Sequence, residues 1–284
     1  MLSNPDNDAI CISAIYITDA KVNTVWMGDV GHRCGMSWGL SQRDIGEKHS
    51  RPKCVRLDND GTSGINAQAM SFHIPDMVAN PDRLAQYNER PESLCSSTPR
   101  FSFWGDLLPD SAIPIFMPEL EYEKDSTHGG LGRDKDIDRV IDSKGEFDKG
   151  VSMYLGGNAK RADSGGSVIP TGSRFSTGRK RRARSEHLHT LIVTPYIEHS
   201  ARELCESDTS WGPDTVSLSE ELFCDMETRG LFGLCNEATG VTTNCFDLAT
   251  ETLMLPQGGI PQPGVNIHAR GLSVPKIYNS TSYW

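Results

Sequence analysis

Lys124-Asp-Ser-Thr-His-Gly-Gly-Leu-Gly-Arg133 opens, and Arg179-Lys-Arg-Arg-Ala-Arg184 closes, a stretch of 61 residues whose composition decides how the chain divides. Of these residues 11 are Gly and only ten are Leu, Ile, Val or Phe. That share lies below the roughly 20 per cent found in chains that bury a core. The stretch holds 14 basic and eight acidic side chains, a charge of +6, which leaves −16 for the rest of a chain whose net charge is −10. It reads as a largely disordered linker. The expected organisation is an N-terminal module, 1–117, a Gly/Asp/Arg-rich linker, 118–185, and a C-terminal module, 186–284.

The cysteines support that division. Cys11, Cys34, Cys54 and Cys95 precede the linker, and Cys205, Cys224, Cys235 and Cys245 follow it. No Cys-x-x-Cys pair occurs, so a structural zinc site is not expected. An even count in two groups of four suits disulfides within each module, and disulfides persist in oxidising compartments. The expected fold class is therefore α+β, two small disulfide-bonded modules joined by the linker.

Two short motifs fit secretion. Asn279-Ser-Thr is an acceptor sequon for N-glycosylation. Lys180, Arg181 and Arg182 form dibasic pairs of the kind convertases cut, and a cut there is expected to release two independent products. The start, Met1-Leu-Ser-Asn-Pro-Asp-Asn-Asp, lacks the basic and apolar regions of a signal peptide. An extracellular location thus implies an incomplete or processed N-terminus. No apolar run approaches the ~20 residues that span a bilayer, so a membrane is not an expected partner. The acidic charge gives no general attraction to nucleic acid.

Local patterns give the elements. Ile10-Cys-Ile-Ser-Ala-Ile-Tyr-Ile17 reads as one buried strand, and Asn66 to Ile74 as a second. Asn80-Pro81-Asp82 starts a helix: Asn caps, Pro takes the first position and Asp favours the positive end. That helix ends before Pro91. Leu188 to Thr194 reads as a strand. Ser200 to Cys205 is a short helix with capping-box spacing to Glu203. Asp214 or Thr215 caps a longer helix through Met226, with Val216, Leu218, Leu222, Phe223 and Met226 as its stripe. No internal repeat is visible.

Candidate chemistry is sparse. Asp163-Ser164-Gly165-Gly166 resembles a chymotrypsin-type nucleophile loop, but it lies in the stretch least able to hold a serine beside a base. Asp134-Lys-Asp-Ile-Asp138 spaces carboxylates as calcium loops do, yet Arg139 and Gly145 stand where the EF-hand needs Gly and a carboxylate. Asp58-Asn-Asp60-Gly61 is a shorter turn of that kind. His187 and His189 alternate on a strand and can begin a metal site, but His199, His73 and His128 cannot be placed as a third ligand. No cofactor, metal or catalytic residue is expected.

One segment carries a resemblance. Arg202-Glu-Leu-Cys-Glu-Ser-Asp-Thr-Ser-Trp-Gly-Pro-Asp-Thr-Val-Ser-Leu-Ser-Glu-Glu-Leu-Phe-Cys-Asp-Met-Glu-Thr228 is similar to the C-terminal extension of fungal secreted chitinases of glycoside hydrolase family 18, the killer-toxin-like subgroup. Cys235, Asn244-Cys-Phe-Asp247 and the aromatic end, Tyr278 to Trp284, fit that extension as well. The resemblance covers about residues 200–250 and the tail. The family's catalytic Asp-x-x-Asp-x-Asp-x-Glu strand is absent, so its activity does not transfer. The resemblance implies a secreted fungal glycoprotein, an accessory or interaction module with carbohydrate or cell-wall polymer as its candidate partner. Two alternatives stand beside it. One is an unrecognised secreted carbohydrate hydrolase, for which Asp58 and Asp60 are candidate carboxylates. The other is an intracellular or nuclear protein using the basic run.

Overall fold

The computed structural model describes residues 2–3, 9–18, 23–47, 49–58, 65, 67–78, 80–95, 97, 99–104, 119–124, 132–135, 138, 189–256 and 273–284. It is a strand-rich α+β protein with four disulfides. All eight cysteines are bridged: Cys11–Cys54, Cys34–Cys95, Cys205–Cys224 and Cys235–Cys245. Every bridge stays within one group of four, as the spacing predicts. Among the described residues, no helix is long and apolar enough to cross a membrane. The chain forms two compact units, one of 1–41 with 52–182 and the other of 42–51 with 183–284. A cut after Arg181 or Arg182 would therefore leave the two stretches of the second unit on different products.

Among its described residues the first unit contains three small antiparallel sheets. β1 (Leu2–Ser3), β7 (Ala69–Phe72) and β8 (Phe101–Trp104) form one, in the order β1-β7-β8. β2 (Ile10–Ile12), β6 (Cys54–Leu57) and β5 (Trp38–Gly39) form another, in the order β2-β6-β5. β3 (Ala14–Thr18) and β4 (Asn23–Met27) make a hairpin. The run Ile10 to Ile17 is thus two strands rather than one. The chain breaks at Ser13, whose carbonyl accepts from the Gly28 amide at 2.8 Å. Both pieces are edge strands, which leaves Ile10 and Tyr16 exposed.

The core gathers Trp26, Met36, Val55, Leu57, Met70, Phe101 and Phe103 around the Cys34–Cys95 bridge. Trp26 stacks on Phe72 with ring centres 6.1 Å apart, and Phe101 meets Phe103 edge-on at 4.9 Å. α1 (Gly28–Arg33) leans on β6 through two glycines. A Cβ on Gly28 would collide with the Lys53 carbonyl oxygen, so this close approach needs glycine. α2 (Pro81–Glu89) starts as expected, with the Asn80 side chain accepting from the Asp82 and Arg83 amides at 2.9 and 3.1 Å. Its buried face is polar, Arg83, Gln86 and Tyr87, whereas Leu84 faces outward. α3 (Glu92–Cys95) carries the second cysteine of that bridge.

The second unit is built on a mixed eight-stranded sheet. Its strands are β9 (Thr190–Thr194), β10 (Asp214–Ser217), β11 (Leu222–Asp225), β12 (Gly230–Leu234), β13 (Cys245–Asp247), β14 (Thr252–Met254), β15 (Ser273–Pro275) and β16 (Ser280–Tyr283). They follow the order β15-β14-β13-β12-β11-β10-β9-β16. α4 (Ala201–Glu206) joins β9 to β10. The Ser200 hydroxyl oxygen accepts from the Glu203 amide at 3.0 Å, the expected cap. The Glu220 carboxylate accepts the Ala201 and Arg202 amides, where the helix dipole favours negative charge.

Residues 214–226 are a hairpin and not a helix. Val216 and Phe223 pair across β10 and β11 and are both buried, while Leu218 lies in the turn and is exposed. The same turn recurs. Loops 218–221, 226–229 and 248–251 each hold four residues and end on a residue with positive φ: Glu221 at 54°, Arg229 at 62° and Glu251 at 50°. Ser217, Asp225 and Asp247 start them. Asp225 accepts from the Glu227 amide and Asp247 from the Ala249 amide, both at 3.0 Å. This is a backbone repeat that the residue identities conceal, because any short polar side chain starts such a turn.

The strand order fixes the curvature. β15 and β16 lie at opposite ends of the sheet, yet only residues 276–279 separate them. A flat eight-stranded sheet would place its end strands about 34 Å apart. Five residue steps of extended chain reach at most about 18 Å. The sheet is therefore rolled, and the link crosses its seam. Leu191, Val193, Val216, Phe223, Phe246 and Leu253 form the core, with Phe223 stacked on Phe246 at 3.8 Å.

Candidate functional site

Two buried polar centres stand out, one in each unit, and neither was visible in the sequence. In the first unit Asp76 is the hub. It follows the β7 strand in a 3-10 turn, Ile74–Met77. The Tyr87 hydroxyl donates to its Oδ1 at 2.6 Å and the Tyr122 hydroxyl to its Oδ2 at 2.7 Å. His73 Nδ1 lies 2.9 Å from Oδ2, and the guanidiniums of Arg83 and Arg100 are 3.5 and 3.8 Å from Oδ1. Burial alone raises the Asp76 pKa, but hydrogen bonding from His73, the Arg100 charge and the two hydroxyls outweigh it, and the carboxyl is held below its usual range. Burial and the Asp76 charge push both tyrosines well up.

Residues 119–124 and 132–135 close this centre. Tyr122 and Asp134 bridge as in an antiparallel pair, and the Glu123 amide donates to Arg133 O at 2.8 Å. The Gln86 side chain holds the Asp134 backbone on both sides, at 3.0 and 3.3 Å. The Asp134 carboxylate pairs with Arg100, and both side chains are essentially inaccessible. Asp134 therefore neutralises a buried arginine rather than opening a calcium loop.

In the second unit the centre lies where the link crosses the seam. Asp214 on β10 and Asp225 on β11 share Lys276, whose Nζ is 3.6 Å from the first and 2.8 Å from the second. The Tyr278 hydroxyl donates to Asp214 Oδ2 at 2.7 Å, and the Met226 amide to Oδ1 at 2.7 Å. Burial pushes the Asp214 pKa up to about 6; Lys276 and the two donors oppose this and Asp225 adds to it. Lys276 is itself pushed up, by Asp214 and Asp225, against its own burial. The two shifts are compatible, because the ammonium sits closest to Asp225 and leaves Asp214 incompletely compensated. The ammonium bridging the two carboxylates is the mark of a structural clamp.

A chain of rings lies at the far end of β9 and β16. Tyr196 meets His199 at 5.6 Å, and His199 meets Trp284 at 5.2 Å. The Arg51 guanidinium sits over the Tyr196 ring at 3.4 Å. Next to Trp284 in the chain, Tyr283 is 74 per cent exposed.

The residues singled out from sequence are scattered. Asp58 is fully buried after β6, and Asp60 lies outside the described residues. His73 belongs to the Asp76 centre, His199 is buried against Thr194 Oγ1 at 2.8 Å, and His189 is exposed before β9. Among the described residues, no three His, Cys, Asp or Glu side chains gather as a metal site. Asn279 is exposed immediately before β16. His128, Asp163 to Gly166, Lys180, Arg181, Arg182 and His187 lie outside the described residues. No family model, no curated protein and no solved structure matches this chain.

Proposed function

We propose that this chain is a secreted accessory or interaction module, related to the non-catalytic part of chitinase-like proteins, whose partner is carbohydrate or cell-wall polymer. The observation that carries the reading is the pairing of every cysteine, a state that reducing compartments do not maintain. The segment that carries the chitinase resemblance, 200–250, contains two of the four bridges. Tyr283 supplies a wet aromatic ring beside Trp284, and such rings are strong contact groups at binding surfaces. On this reading Asn279 carries a glycan, and Arg181 or Arg182 is a processing site.

The test is retention of the oxidised protein on insoluble chitin, β-glucan and cellulose. Binding to one of them is expected, weakened about tenfold by Tyr283→Ala, which corresponds to about 1.4 kcal/mol. Passage through all three polymers unretained would sink the partner assignment. Eight reduced thiols in protein taken from its native source would sink the secreted one.

A further inference from the structure

We propose that residues 276–279 form a clasp that holds the rolled sheet of the second unit shut along its seam, and that the clasp is tighter in acid than at neutrality. The geometry carries it. Among the described residues β15 pairs with β14 and β16 with β9, and no ladder joins β15 to β16. No cysteine lies beyond Cys245, so no bridge secures β14, β15 or β16. What crosses the seam is the link itself, with one side-chain hydrogen bond beside it, from the Thr281 hydroxyl on β16 to the Glu251 carboxylate at 2.8 Å. It reaches inward with Lys276 to Asp225 and with Tyr278 to Asp214, and the Tyr278 ring packs against the core. Its backbone is tied at both ends, Lys276 N to Glu251 O at 3.0 Å and Asn279 N to His189 O at 2.7 Å.

The charges around Asp214 set the direction of the pH response. Facing it are Lys276 and Tyr278 from the link and Asp225 from β11, with Glu227 acting on Lys276 and Glu251 on Tyr278 from neighbouring turns. One cation thus serves several carboxylates. With Asp214 neutral, Lys276 and Asp225 balance and the Tyr278 bond persists. With Asp214 ionised, the site holds an uncompensated buried charge, and opening the seam hydrates it. The Asp214 pKa of about 6 places the change between acid and neutral pH.

Hydrogen exchange of the full-length oxidised chain tests this at pH 5 and pH 7.5, corrected for intrinsic rates. Protection of 273–284 and of β9 is expected to fall by about tenfold on going to pH 7.5, because about one pK unit of the Asp214 shift is lost between these two pH values, while the β10–β11–β12 hairpins change little. Asp214→Asn should hold the acid-level protection at both pH values. Tyr278→Phe should lower protection of 273–284 at both. Equal protection of wild-type 273–284 at the two pH values would overturn the proposal. A pH response spread evenly over the unit would overturn it too, since that is global stability rather than a seam. Should Asp214→Asn fail to fold, the wild-type comparison and Tyr278→Phe still decide.

Discussion

Replacing Asp134 by Asn tests whether residues 119–124 and 132–135 are part of the first unit's core. Asp134 and Arg100 have side chains exposed by 1 and 0 per cent, so the substitution leaves a guanidinium without its nearest counter-charge and with little water to replace it. Breaking a buried pair from one side costs about 3–5 kcal/mol. Asp76 lies 3.8 Å from Arg100 Nε and offsets part of that, which places the expected loss near the lower end, about 3 kcal/mol. In urea, with a slope near 2 kcal/mol per molar, the midpoint should fall by about 1.5 M. Trp26, Trp38 and Trp104 are fully buried in this unit and report its unfolding by fluorescence, and hydrogen exchange of β7 and β8 assigns the change to it. The double variant Arg100→Met with Asp134→Leu should recover most of the loss, because removing both charges removes the desolvation problem. A midpoint shift below about 0.3 M for the single variant, or a double variant no better than the single, would refute the pairing argument.

The two units should answer acid oppositely. Asp76 is depressed, so its contribution is present above the unfolded value of 3.8 and is lost as pH falls below it; Asp214 is raised to about 6, so its contribution is full below 3.8 and is lost as pH rises through 6. Between pH 7.5 and 4.5 the seam of the second unit, 273–284 and β9, should gain about 2 kcal/mol and the first unit should not change, and parallel pH profiles of the two by hydrogen exchange would contradict this. Opening Cys34–Cys95 with a double alanine variant should cost about 4 kcal/mol against about 3 for Cys235–Cys245, since the loops span 61 and 10 residues; denaturation midpoints in the reverse order would count against the loop-entropy account. Gly28→Ala should cost about 1–3 kcal/mol, because its Cβ meets the Lys53 backbone and the strand itself must move. An unchanged melting temperature would show that α1 can lift off β6 freely.

Features set by neighbours in the chain were legible. The Asn80 and Ser200 caps, the stop before Pro91 and the β9 strand all follow from side chains within a few residues of the backbone they serve. The hairpin at 214–226 was not, because Val216, Leu222, Phe223 and Met226 suit a helical stripe as well as strands around a turn. The sheet decides between them: β9 and β12 supply the backbone partners that make β10 and β11 extended. The break at Ser13 has the same origin, since β2 and β3 take different partners.

The polar centres were hidden for a related reason. Asp76 and Tyr122 are 46 residues apart, and Tyr278 and Asp214 are 64 apart. Each residue alone reads as an ordinary surface group. By itself the sequence determined the two sets of four cysteines, the acidic flanks, the caps and the apolar runs, all of which depend on composition or on the nearest few residues. The tertiary structure alone decided which cysteine meets which, that the last strand returns beside β9, and that a single lysine lies between Asp214 and Asp225. Those outcomes depend on closing long stretches of chain around a shared core, and burial there changes what a carboxylate or an arginine needs beside it.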